Sequence, residues 1–152
     1  MAGPNLFIGI DPGNSGGICV ISHSTSICAK CPDTVADMVC LAKAMIDIDT
    51  NPICVIESVH SMPGNSGRSM FTFGTNYGMW LGILASLQIP YMQASPMKWM
   101  KHYGPRPKDK KARKNHLKHL AQQRYPQLPI TLATADAVLI AHYCFSTYKT
   151  SH

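Results

Sequence analysis

Long apolar runs are absent from this chain. None reaches the length of a membrane span, which excludes a transmembrane helix. Internal repeats, low-complexity tracts and linkers are also missing, so residues 1–152 are expected to form one domain, long enough for a proper core. Met1 to Asn5 carries no basic, long apolar leader. No signal peptide is expected, therefore, and an intracellular setting with reduced thiols follows. In that setting the six cysteines read mostly as small buried hydrophobes. Acids are scarce: 8 against 14 lysines and arginines, with Glu57 the only glutamate. A hydrophobic content of 45% excludes disorder.

The surplus of positive charge is localised. Lys98, Lys101, Arg106, Lys108, Lys110, Lys111, Arg113, Lys114, Lys118 and Arg124 crowd into one stretch, with Asp109 as its only acid. A one-sided basic surface is the electrostatic footprint of nucleic-acid binding; a solvated helix face is the other reading.

The stretch around which the chain is organised is Leu6 to Gly17. Its apolar start reads as a short buried strand that ends in Asp11. Pro12 to Gly17 then force a tight turn, and Ile18 to Ile21 form a second strand. A carboxylate at the mouth of a buried strand is costly unless paired; a hard divalent cation takes such oxygen ligands, and so does a local turn. Ser26 to Lys30 pairs with the second strand through the turn at His23–Thr25. Cys28 and Cys31 have metal-ligand spacing, but no second pair follows to complete a zinc site.

Asp33 fits an N-cap, and Val35, Met38, Leu41, Ala42, Met45 and Ile46 recur at helical spacing over Thr34 to Ile48. Ile53 to Ile56 is the next buried strand, and it too ends in an acid, Glu57. Two parallel neighbouring strands would bring Asp11 and Glu57 out side by side. Like charges that close repel unless a metal lies between them.

Ser58 to Met70 reads as a polar loop beside that site, with Arg68 in it and Phe71 and Phe73 at its end. Exposed, the two rings stack on or wedge between bases; buried, they are ordinary core. The spacing predicts a helix over Thr75 to Leu87. Gly74, Gly78 and Gly82 line one face of it and allow close backbone approach, by the sheet beneath in preference to a second subunit. Pro90 to Gln93 is expected as a strand. Ser95-Pro96 opens a short helix through Tyr103 that carries Lys98 and Lys101. A longer helix follows over Lys108 to Arg124, its lysines and Arg113 free to face phosphates. His116 and His119 read as surface or half-buried neutral residues. The last helix runs from Leu132 to about Tyr148 with Thr131 as its cap, and Asp136 in its second turn is the third carboxylate assigned to the site.

Ile8-Gly-Ile-Asp-Pro-Gly13, Ile56-Glu-Ser-Val59 and Ala135-Asp-Ala-Val-Leu-Ile-Ala141, in that order, resemble the RuvC family of Holliday junction resolvases. Thr72 to Gly82, Lys98 to Gly104 and the basic Lys108 to Lys114 are similar to the corresponding segments of its phage and chloroplast members. The resemblance implies an α/β, ribonuclease H-like fold: a mixed five-stranded sheet flanked by helices, with the active site at its rim. It implies a homodimer joined through the helix after the loop. It implies symmetric nicking of four-way DNA junctions, leaving 5′-phosphate and 3′-hydroxyl ends. Asp11, Glu57 and Asp136 would hold one or two Mg²⁺ ions per subunit, with Mn²⁺ as a substitute. Lys108, Lys110 and Lys111 would neutralise phosphate charge, and Phe71 or Phe73 would match the aromatics at the branch point. The family's fourth ligand, three residues before the last Asp, is Ala133 in this chain. Either three acids suffice, or a metal position is impaired, or the residue was substituted deliberately. The competing readings are a flap or branched-DNA nuclease of the same fold, a non-catalytic junction-binding module, and a nucleotide binder of the actin or sugar-kinase type. The last needs two domains, and this chain has length for one.

Overall fold

The computed structural model describes residues 2–58, 60 and 63–150, with Thr150 described by its backbone alone. The chain runs β1 (Leu6–Asp11), β2 (Gly17–Ser22), β3 (Ser26–Lys30), α1 (Val35–Met45), β4 (Pro52–Glu57), α2 (Gly67–Ser86), β5 (Tyr91–Ala94), α3 (Pro96–Lys101), α4 (Lys110–Arg124) and α5 (Ala135–Thr150). The strands form one mixed sheet in the order β3-β2-β1-β4-β5. Strand β1 is antiparallel to β2 and parallel to β4, β2 is antiparallel to β3, and β4 is parallel to β5.

Alternation along each strand assigns its side chains to two cores. Ile8 and Ile10 of β1, Ile18 and Val20 of β2, and Cys54 and Ile56 of β4 pack with Met38 of α1 and Trp80 and Leu84 of α2. Phe7, Cys19, Ile21 and Val55 point the other way, toward α3, α4 and α5. Helix α5 lies directly on the sheet. A Cβ on Gly9 would fall 2.2 Å from the Ala141 nitrogen and 2.4 Å from the Ala137 oxygen, so only glycine permits this crossing.

Several boundaries differ from the sequence expectation. Thr34, not Asp33, caps α1: its Oγ1 accepts the Asp37 N–H at 3.1 Å and donates to Asp37 Oδ2 at 2.8 Å, a reciprocal cap. That helix stops at Met45, because Ile46 turns extended and is buried. Helix α2 starts at Gly67, eight residues before Thr75. Ser66 supplies the cap by accepting the Ser69 N–H at 3.1 Å, so Arg68, Phe71 and Phe73 ride on a helix rather than a loop. Of the expected loop, Val59, Ser61 and Met62 lie outside the described residues. Strand β5 is Tyr91–Ala94.

The glycine ridge is the largest reversal. Among the described residues, a Cβ on Gly74, Gly78 or Gly82 would meet no atom within 4 Å outside the helix's own backbone. Asn76, Trp80, Ile83 and Leu84 occupy the buried side of α2, and at 100° per residue the three glycines fall on the opposite, outward face. Helix α5 is regular from Ala135, although the Ala135 N–H already bonds the Thr131 carbonyl at 3.0 Å. Cys28 and Cys31 belong to opposite faces of the sheet, and Cys31 donates its thiol to the Asp11 carbonyl at 3.5 Å. They form no pair of ligands.

Candidate active site at the carboxyl ends of β1 and β4

The two cores decide where the acids point. Gly9 and Val55 face α5, and so, two residues on, do Asp11 and Glu57. The parallel register pairs Ile10 with Ile56, so both carboxylates leave the same edge of the sheet side by side. Helix α5 covers that face and carries Asp136 in its first turn. The three acids, 46 and 79 residues apart in sequence, therefore share one rim. All three are half-buried.

Their ionisation reflects this convergence. Burial holds the Asp11 carboxyl well above its ordinary range, and the charges of Glu57 and Asp136 raise it further while Lys114 opposes them. Burial pushes Glu57 up to about 7; the Trp99 hydrogen bond lowers it and Asp136 raises it. Asp136 is raised to about 6, again chiefly by burial, against the pull of Lys114 and then Arg113. Three carboxylates on one half-buried rim are a set of hard oxygen donors whose mutual repulsion Lys114 and Arg113 offset only in part. That chemistry fits a divalent cation. As placed, among the described residues, no three His, Cys, Asp or Glu side chains close into a group that holds a metal ion.

The basic residues divide. Leu117 and Ala121 bury one face of α4, against the core that holds α5. Arg113 and Lys114 lie one turn before Leu117 on that face, which is why their field reaches Asp136. Lys98 and Lys101 are exposed on α3, and Lys108, Lys110 and Lys111 are exposed around the start of α4. Lys118 is half-buried. Asp109 caps α4 by accepting the Ala112 N–H at 2.9 Å. Phe71 is 77% exposed. Phe73 is 37% exposed, and its ring lies so close over Gly13 that a Cβ there would come within 2.8 Å of it. Arg68, Phe73, Asn14 and Ser15 line one groove between the turn after β1 and the start of α2.

Ala133 is half-buried, one turn before Asp136. A Cβ on Gly17 would fall 2.8 Å from the Ala133 oxygen, and Gly17 is the β2 partner of Asp11. Position 133 thus stands beside the acids.

Two residues at the site escaped the sequence reading. Buried Trp99 donates its indole N–H to Glu57 Oε2 at 2.6 Å. Buried Asn76 accepts the Gly13 N–H at 2.6 Å. The available signal was chemical: a tryptophan amid lysines and an asparagine amid apolar helix neighbours each require a polar partner if buried.

The architecture is that of ribonuclease H-like α/β folds. Two solved structures of Thermus thermophilus RuvC are similar to it. One, in complex with a Holliday junction substrate, has a TM-score of 0.63 at 14% identity over 96% of each chain. The other has a TM-score of 0.58 at 15% identity over 96% of each chain. The likeness is one of fold. No family model and no curated protein matches the sequence.

Proposed function

We propose that this chain is a structure-selective endonuclease that resolves four-way DNA junctions by paired, metal-dependent phosphodiester hydrolysis. The observation that carries the reading is the convergence of Asp11, Glu57 and Asp136 at one rim of a RuvC-like sheet, under the field of Lys114 and Arg113. The fold shared with a RuvC structure bound to a Holliday junction substrate supports branched DNA as the substrate class.

In this reading the three carboxylates hold one or two Mg²⁺ ions, with Mn²⁺ as a substitute. A bound ion of this kind lowers the pKa of the attacking water and offsets charge on the leaving oxygen. Lys114 and Arg113 keep Asp136 ionised, and so competent as a ligand, at neutral pH. Lys98, Lys101, Lys108, Lys110, Lys111 and Lys118 track the phosphates, and Arg68, Phe71 and Phe73 meet the branch point from α2. Residues 1–152 act as one domain and work as a homodimer. Each helical glycine costs up to about 1 kcal/mol relative to alanine, and among the described residues nothing outside the helix's own backbone lies within 4 Å of where a Cβ on Gly74, Gly78 or Gly82 would stand. A second copy of α2 on that face accounts for them.

A second reading has its own observation. Position 133 lies beside Asp11 but carries no acid, which favours a junction-binding protein with impaired chemistry. Nicking of a synthetic four-way junction beside matched linear duplex, in Mg²⁺ or Mn²⁺ and with Asp11→Asn as control, separates the two. Paired symmetric nicks on the junction alone, lost in the control, support the nuclease. Tight, salt-sensitive binding without nicks supports the binder. A chain that neither binds nor cuts junctions ends both readings.

A further inference from the structure

The Trp99–Glu57 contact has no role in the chemistry described so far. Trp99 is fully buried on α3, and its indole N–H donates to Oε2 of Glu57 at 2.6 Å. No second donor to this carboxylate is found among the described residues. The indole stands edge-on to Tyr103, with ring centroids 6.4 Å apart, and the Tyr103 hydroxyl donates to the Leu139 carbonyl of α5. The donor therefore packs against a ring that is itself anchored to α5, the helix that carries Asp136. One carboxylate oxygen is held by a fixed charge-assisted bond, and Oε1 is left to other partners. An ion that took the lone pair of Oε2 engaged by the indole would strand a buried N–H, which the interior penalises.

We propose that Trp99 is a positioning residue that makes Glu57 a one-oxygen ligand and so biases the site toward small octahedral cations over Ca²⁺. The inference rests on reading Glu57 as a metal ligand. Mg²⁺ demands near-octahedral geometry from single oxygens, whereas Ca²⁺ accepts 6–8 oxygens and takes carboxylates through one or both. A carboxylate with one oxygen occupied serves the first requirement and handicaps the second. Partners of this kind, one step removed from the ion, typically change metal affinity about 10- to 100-fold.

The test compares the full chain with Trp99→Phe, which keeps a buried ring and deletes the donor. The melting temperature is followed against Mg²⁺ alone and Ca²⁺ alone, without DNA. The expected result is a Mg²⁺ midpoint raised about ten-fold, with the Ca²⁺ midpoint unchanged or lowered. An unchanged ratio of the two midpoints overturns the proposal and leaves the metal site standing. Absence of any Mg²⁺ response in the unmodified chain overturns both. A second measurement keeps Trp99 in place, in case Trp99→Phe fails to fold. The Trp99 indole proton is followed by NMR and assigned with Trp80→Phe. It should lie downfield, stay there at saturating Mg²⁺, and move upfield in Glu57→Gln. Movement to the free-indole position on adding Mg²⁺ overturns the proposal.

Discussion

Gly13 donates its backbone N–H to Oδ1 of Asn76 at 2.6 Å, across 63 positions of sequence. The bond ties the turn that follows Asp11 to the buried side of α2, the helix that also carries Arg68, Phe71 and Phe73. Asn76→Leu keeps the branched shape, though with bulkier methyl groups, and leaves the Gly13 N–H unsatisfied, at a cost of about 1–3 kcal/mol. Thermal unfolding should register a loss of about 2–4 °C per kcal/mol. Junction nicking should slow with junction affinity nearly kept, since the turn positions Asp11 and carries no basic side chain. An Asn76→Leu protein with unaltered melting and turnover removes this role.

The raised carboxyls set a pH dependence with a definite sign. Glu57 titrates at about 7 and Asp136 at about 6 in the folded chain, and Asp11 is raised as well. Unfolded carboxyls release their protons near pH 4. Between about pH 4 and 7 the folded state therefore binds more protons than the unfolded state, and metal-free stability falls as pH rises. Mg²⁺ should restore melting temperature at pH 8 and do little at pH 5. Asp11→Asn removes one of three like charges. It should melt higher than the parent at pH 8 without metal, respond less to Mg²⁺, and lose nicking. A lower melting temperature for Asp11→Asn under those conditions contradicts the account.

Ala133→Asp places a fourth carboxylate one turn from Asp136 and beside the Gly17–Asp11 pair. Cleavage in Mg²⁺ should increase, and metal-free stability should drop because a fourth like charge joins the rim. No gain in cleavage over the parent chain would count against this account of position 133.

One substitution should act in opposite directions at two glycines. Gly9→Ala drives a methyl into the backbone of α5, which cannot yield as a side chain can. A loss at or above the upper end of the usual range of about 1–3 kcal/mol is expected, visible as insolubility or a collapsed melting transition. Gly78→Ala meets open space and removes a helix penalty. At high dilution it should stabilise the chain by up to about 1 kcal/mol. Gly78→Arg should leave the monomer folded and shift sedimentation from dimer to monomer. A Gly78→Arg protein that remains dimeric moves the interface elsewhere.

The strands that end in Asp11 and Glu57 were legible because each is a short apolar run with a carboxylate at its end, and a parallel pairing then has one outcome. The five-stranded mixed sheet was expected from family resemblance and is present. The beginning of α2 was not legible: Gly64, Ser66, Gly67 and Ser69 look like loop, and the cap that starts the helix is a hydrogen bond rather than a pattern. The outward turn of Gly74, Gly78 and Gly82 was misread because small residues mark close approach without naming the partner. Trp99 and Asn76 act across 42 and 63 positions, a separation at which periodicity carries no information.

Helix α5 forms the wall over β1, β2 and β4 and supplies Asp136, and ribosomal synthesis makes it last among the described elements. Until it docks, β1 and β4 present two acids on an open sheet face, with no third carboxylate and no cover over Gly9. Domains tend to settle as units while the chain emerges from its N-terminus. A nascent or truncated chain ending before residue 135 therefore lacks the α5 part of one of the two cores and one of the three acids assigned to the site. On the proposed reading, competence to cut DNA would arrive only with completion of the fold.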